Sequence, residues 1–443
     1  MPAEDTPLVE EAPRRHRWLF ECTLSIIGPG LLVSLADTDF ACLLQAADTG
    51  ARFGYSGIIG LQFLLFPALF VAQELTVRLG THTMKGHGAC IKEQFGKVCA
   101  WVTFTLLTFS CVLAIVAELS GIAGVASICG LGNAVSASVA ALLLIVLVCV
   151  APYRVVERVA LCFGVFEVAF LLSWGLVHPS AHDFFAGMFR VAPTADFAQF
   201  AAANVGAVIM PWMIYFQQSA VAAKRISAGP SEAAERTGTL LGAVLTQLIM
   251  VGTIVTFAAS RQRTQTFRVE DVSRMEAVMV DVFGGVLGRT LLAFGLFGGA
   301  VCAAIVVALA TSWALCDTLS HGTAAAAPRK EPTLLTHVHD PVVNPMDLPA
   351  KDAPVFYGCF AATVVAGLVA LLAGMTQETI SLISTSANAV LMPVTLLFLW
   401  LLAQGDALPP GVRITGVYKW STAVVFVAAS IFALVSTILG LAG

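Results

Sequence analysis

The stretch Gly28-Pro29-Gly30-Leu31-Leu32-Val33-Ser34-Leu35-Ala36-Asp37-Thr38-Asp39-Phe40-Ala41-Cys42 lies within one apolar run yet carries residues that an ordinary membrane helix excludes. Pro and Gly interrupt a helix. Ser34, Asp37, Thr38 and Asp39 have no place on a lipid-facing surface. A second interrupted run, Ala207-Val208-Ile209-Met210-Pro211-Trp212, is followed by Tyr215, Gln217 and Gln218. Paired interruptions of this kind point to a transporter built from inverted repeats, with its site at mid-membrane. Unwound backbone is tolerated at that depth only where it lines a cavity.

Composition places the whole chain in the bilayer. Of 443 residues, 58% are hydrophobic and 12% charged, and the mean hydropathy is +0.86. A soluble domain carries about 25% charged residues, so a soluble multidomain enzyme is excluded. The net charge of −4 provides no basic surface for nucleic acid. The eleven cysteines show no CxxC spacing and read as small buried hydrophobes.

A span needs about 20 apolar residues. Eleven runs qualify, near 19–45, 53–78, 98–128, 132–152, 157–177, 198–222, 237–260, 286–316, 354–375, 379–404 and 417–441. Residues 1–18 form a polar tail, 19–177 a first five-helix repeat, 198–404 a second, and 417–443 an eleventh span. The stretch 317–353 reads as a flexible loop, and 261–274 as a solvated outer loop. With the N-terminus cytoplasmic, 17 of the 24 Lys and Arg fall inside. That bias sets the N-terminus in the cytoplasm and the C-terminus outside, in a multi-pass protein of the plasma membrane.

No Lys or Arg lies deep in a span, but Asp37, Asp39, Glu118 and Glu167 do. Each carboxylate costs about 2.5–3.5 kcal/mol at a helix centre, so it faces a cavity, a partner or a substrate. A bound cation supplies the missing positive charge. Protonation, or hydrogen bonding between helices, is an equal reading for Glu118 and Glu167. Asp37 and Asp39 would diverge on an intact helix, so both reach one ion only where the segment unwinds.

These residues resemble the Nramp family of divalent-metal transporters. Family members carry Gly-Pro-Gly, then Asp-Pro-Gly-Asn, then a Phe/Tyr-Gly-Tyr turn. Here Gly28-Pro29-Gly30, Asp39-Phe40-Ala41-Cys42 and Phe53-Gly54-Tyr55 stand in the same places. Gln73-Glu74, Arg78-Leu79-Gly80, Glu118-Leu119-Ser120-Gly121, Tyr153-Arg154-Val155-Val156-Glu157-Arg158 and Gly206-Ala207 with Met210-Pro211 continue the similarity over at least six spans. The resemblance implies an all-α membrane protein with a LeuT-like fold, two inverted five-helix repeats plus an eleventh helix. It also implies metal binding by Asp39, Cys42, Ala207 and Met210.

The sequence departs from the family pattern in ways that bear on the ion. Cys42 replaces Asn, and Phe40-Ala41 replaces Pro-Gly. Trp212 and Gln217 stand where the sixth span carries histidines, and Ile115 replaces a third-span acid linked to proton passage. None of the eight histidines lies inside a predicted span. This pattern resembles the Nramp-related magnesium transporter branch, whose members are thought not to couple to protons. Mg²⁺ dehydrates reluctantly and is bound with several waters, and Cys42 in place of Asn frees room for them. Met210 and Cys42 as soft ligands point instead to transition metals.

The expectation is alternating-access transport of partly hydrated Mg²⁺, with Mn²⁺ also accepted, by a monomer without proton coupling. The ion is the transported substrate and no cofactor is implied. The alternative is a proton-coupled Mn²⁺/Fe²⁺ carrier of the ordinary family type. An amino-acid carrier is disfavoured because two Asp beside the break repel a carboxylate. An intramembrane aspartyl protease would need its two Asp on separate helices. Ser386 aligns with a tenth-span Gln of the family site. His337-Val338-His339-Asp340 reads as a solvated part of the 317–353 loop, with a metal-sensor role as the lesser alternative.

Overall fold

The computed structural model describes residues 28–224, 226, 229–264, 268–320 and 344–442. Among these the secondary structure is helical throughout, without strands. The tail 1–18 and the His337–His339 motif lie outside the described residues.

The first span is two helices, α1 (Pro29–Ala36) and α2 (Phe40–Phe53), bent by 50° at the break between them. Pro29 begins α1 behind the extended Gly28, since a proline at the first helical position loses no hydrogen bond. The helix stops at Ala36 and restarts behind Asp39, whose carboxylate accepts the Cys42 N–H and caps α2. Side-chain caps of this type stabilise a helix by about 1 kcal/mol. This span runs some eight residues further than the apolar run, ending at Gly54 with φ 62°.

The second span is α3 (Gly57–Thr83), the third α4 (His87–Ile128) and the fourth α5 (Asn133–Val150). Within α4, Gly96 has φ 86° and ψ 172°, so a short lead-in helix precedes the long one. The fifth span joins α6 (Tyr153–Gly164) to α7 (Val168–Val177) through a 3₁₀ turn at Val165–Glu167. A tightened turn in mid-span marks a local departure from α-geometry. The sixth span is α9 (Ala195–Gly206) and α10 (Pro211–Ala223), after a short surface helix α8 (Ala181–Gly187). Pro211 starts α10 behind the extended Met210.

The remaining spans are α11 (Pro230–Thr264), α13 (Gly285–Leu319), α14 (Pro354–Leu372), α15 (Gln377–Gln404) and α16 (Gly416–Ala442). The Arg-rich outer stretch is not simply solvated. Val269 and Val272 are buried, and α12 (Val272–Phe283) packs Met275 and Met279 inward. Hydropathy missed this element because its apolar face is only half of a short helix. The described ends of the 317–353 stretch are also packed: Asp317–Leu319 finish α13, and Met346 is buried in a turn at Pro345–Asp347.

Burial separates centre from periphery. In its most apolar window the sixth span is 89% buried and the eighth 78%, against 22% for the fourth. The fourth span instead presents Leu142, Leu143, Val146 and Val150 outward, as a lipid-facing helix does. The third and eighth spans pack on each other, and α11 packs on both halves of the first span. Both broken segments pack on spans three, eight and ten, with span seven against the first and spans two and eleven against the sixth.

Candidate functional site

The breaks place free backbone and acidic side chains at one depth. Asp37, Thr38 and Asp39 are at most 2% exposed, and Ala207 and Met210 are fully buried. The Cys42 thiol donates to the Ala207 carbonyl at 3.5 Å, so the first and sixth spans meet directly. Asp39 Oδ1 is occupied by the Cys42 N–H at 2.8 Å. Asp39, Cys42 and Ala207 thus form one connected group, and Met210 holds the N-cap position of α10, which begins four residues after Ala207.

Three further spans hold the first break open. Glu118 of α4 accepts from the Phe40 N–H at 3.1 Å, which places a carboxyl oxygen at the N-terminus of α2, where the free N–H groups of a helix need acceptors. Glu167, in the 3₁₀ turn, hydrogen-bonds the Thr38 hydroxyl. Ser381 of α15 donates to the Ala41 carbonyl at 2.7 Å. Close approach is secured by glycines. A Cβ at Gly121 would lie 2.4 Å from the Phe40 ring, and one at Gly299 would lie 2.9 Å from the Thr38 carbonyl oxygen.

Ser381 was not singled out by the sequence, whereas Ser386 was. Ser386 lines a separate groove of about 330 Å³ with Phe109, Val390 and Thr437. Five residues on a helix turn a side chain through about 500°, so the two serines face different sides. Only the contact between spans one and ten distinguishes them.

Among the described residues none of Asp37, Asp39, Glu118 and Glu167 has an ion-pair partner, and all four are buried. Both oxygens of Asp37, and one each of Glu118 and Glu167, lack any hydrogen bond. Buried carboxyl oxygens without partners are costly, and either a proton or a cation would relieve that cost. Among the described residues no three His, Cys, Asp or Glu side chains converge as a preformed metal cluster. The available donors are carboxylates and main-chain carbonyls, together with the Met210 thioether.

Along α10 the expected histidine positions carry other chemistry. Trp212 is fully buried with its indole N–H unpartnered. Gln217 accepts from Thr76 at 2.7 Å and donates to Thr239 at 3.2 Å. One expectation fails here. His87 lies within the third-span helix and is fully buried, its Nδ1 2.7 Å from Gln218 Oε1. It falls in the short lead-in helix before Gly96, which the apolar run did not reach.

Comparisons with known proteins agree with this geometry. The model of the natural resistance-associated macrophage protein-like (Nramp) family matches residues 30–439. A search of curated proteins by sequence returned no significant match. Among solved structures, a manganese transporter of Eremococcus coleocola is 16% identical, covering 98% of this chain and 91% of that one at a TM-score of 0.67. MhsT in complex with L-phenylalanine is 11% identical, covering 93% and 98%, at a TM-score of 0.58. At such identities the likeness is one of fold, the LeuT-like helical architecture. The family match, spanning nearly the whole chain and both breaks, shows that this protein belongs to the Nramp family of divalent-metal transporters, membrane proteins for which the metal ion is the transported substrate.

Proposed function

We propose that the protein carries Mg²⁺, partly hydrated, with Mn²⁺ as a second substrate, by alternating access and without proton coupling. The observation that supports this most is the bond from the Cys42 thiol to the Ala207 carbonyl. A thiol that donates a proton to a carbonyl is neutral, whereas a soft-metal ligand is a thiolate. The remaining groups around Asp39 are oxygen donors suited to a hard cation and its waters. Asp39 is the ligand in this reading, and Ala207 contributes its carbonyl. Cys42 frames the water-filled space, and Met210 borders it.

The absence of coupling is supported by the sixth span. Trp212 and the amide of Gln217, engaged with Thr76 and Thr239, do not titrate. Buried Ile115 packs against Gly367 where a proton path would need an acid. The drive is then the membrane potential, about 4.6 kcal/mol for a double charge at 100 mV. We read 19–177 and 198–404 as the inverted repeats, with spans one and six rocking against the rest. The working form is a monomer in the plasma membrane with its N-terminus in the cytoplasm.

The test is Mg²⁺ flux into proteoliposomes carrying an internal pH dye, beside Asp39→Ala. Mg²⁺ entry without acidification, lost in the variant, is the expected result. Mn²⁺ entry with protons while Mg²⁺ stays out would overturn both the cargo and the uncoupled mechanism.

A further inference from the structure

Beyond the central site, the N-terminal end of α1 borders a polar cavity of about 440 Å³ lined by Gly28, Tyr153, Arg154, Lys224, Glu235 and Asp347, among others. Glu235, on α11, is 1% exposed. Its Oε1 accepts from the Gly30 N–H at 2.6 Å, and its Oε2 has no partner among the described residues. A Cβ at Gly28 would lie 1.9 Å from that Oε2, so a larger residue there would push the carboxylate away from its place at the start of α1. The Tyr153 hydroxyl is likewise buried without a partner. Lys224 is neutralised by Glu157, and Arg154 is exposed. Among the described residues lining the cavity, the charge balance is therefore two carboxylates, Glu235 and Asp347, against one guanidinium reaching solvent.

We propose that this cavity is a second cation station, between the central breaks and the cytoplasm, where a hydrated divalent ion is held by Glu235 and Asp347. The volume fits: six waters occupy about 180 Å³ at roughly 30 Å³ each. One or two carboxylates acting through retained waters are the usual protein contribution to Mg²⁺. The station lies some 12 Å from the Asp37–Asp39 break along the axis of α1, at about 1.5 Å per residue. Glu235 has two claimants, the ion and the Gly30 N–H. An ion in the cavity draws the carboxylate from the end of α1 and frees that helix to move. The assignment rests on the orientation and divalent cargo proposed above.

The experiment uses full-length protein in detergent micelles and counts bound Mn²⁺ by loss of its free electron paramagnetic resonance signal. Asp39→Ala removes the central ligand, and the variant is expected to retain one bound Mn²⁺. Adding Glu235→Gln to Asp39→Ala should weaken that remaining ion at least about tenfold, the usual scale for losing a supporting group at a metal site. If Glu235→Gln disturbs folding, Asp347→Asn, at an exposed position, carries the same expectation. An Asp39→Ala protein that binds no Mn²⁺, or one whose residual binding ignores both further substitutions, overturns the station. Flux that survives Asp39→Ala would instead sink the central site and leave this count standing.

Discussion

The Phe40 N–H of the first span donates to Glu118 Oε2 of the third at 3.1 Å. It is the first free N–H of α2, a group every helix must satisfy from outside. Glu118→Gln keeps an acceptor there, whereas Glu118→Ala leaves a buried donor unmade, at about 1–3 kcal/mol. Thermal unfolding in micelles should show a clear loss for the alanine variant and little for the glutamine. Equal losses would mean that the carboxylate's charge, rather than its hydrogen bond, holds the break.

Cys42 offers a direct test of the thiol's role. A serine hydroxyl can repeat the bond to the Ala207 carbonyl and is a hard donor. Cys42→Ser should leave Mg²⁺ flux within about threefold of the parent, a change of under 1 kcal/mol in the barrier. A collapse of Mn²⁺ or Cd²⁺ transport in the same variant, with Mg²⁺ never carried by either protein, would show sulfur ligation.

Glu74 is 1% exposed and gathers Arg78 at 2.6 Å, Arg236 at 2.8 Å and the Tyr418 hydroxyl at 2.9 Å. It ties the second span to the seventh and eleventh at one end of the bundle. Glu74→Ala strands these partners and should cost about 3 kcal/mol. Arg236 is 43% exposed, so Arg236→Ala should cost no more than about 1 kcal/mol. Similar losses for the two variants would refute the asymmetry.

Gly206 ends α9 where the sixth span crosses the tenth. A Cβ there would stand 1.9 Å from the Thr385 carbonyl oxygen and 2.7 Å from the Ala389 nitrogen. Both are backbone atoms and cannot swing aside, so Gly206→Ala should lower stability by about 1–3 kcal/mol. Gly358 lies in α14 with nothing within 4 Å of such a Cβ. Gly358→Ala should be neutral or stabilising by about 0.5–1 kcal/mol. A harmless Gly206→Ala would refute the close crossing.

Much of this architecture was legible because lipid enforces a simple rule on sequence: spans are long apolar runs. Eight of the eleven expected runs match helices to within about five residues, the helices of the third and seventh spans start earlier, at His87 and Pro230, and the first is displaced toward Phe53. The breaks were legible for a different reason, since Pro29, Asp37, Asp39 and Pro211 violate that rule. Elements whose stability comes from tertiary packing were hidden. The helix Val272–Phe283 is amphipathic and short, and His87 is enclosed by residues distant in the chain. Ser381 is one of several hydroxyls on α15, and only its bond to Ala41 sets it apart. The acids Glu118 and Glu167 were visible as anomalies, but their partners, Phe40 and Thr38, were not.

Asp39 is both the expected ligand and the cap of the helix that follows it, through the Cys42 N–H. An ion that draws this carboxylate toward itself loosens the first turn of α2. On the proposed rocking of spans one and six, the cargo would soften the segment that pivots around it. Empty and loaded carriers would then differ in stiffness at the hinge itself, and an ion that polarises the carboxylate weakly would be bound without being moved.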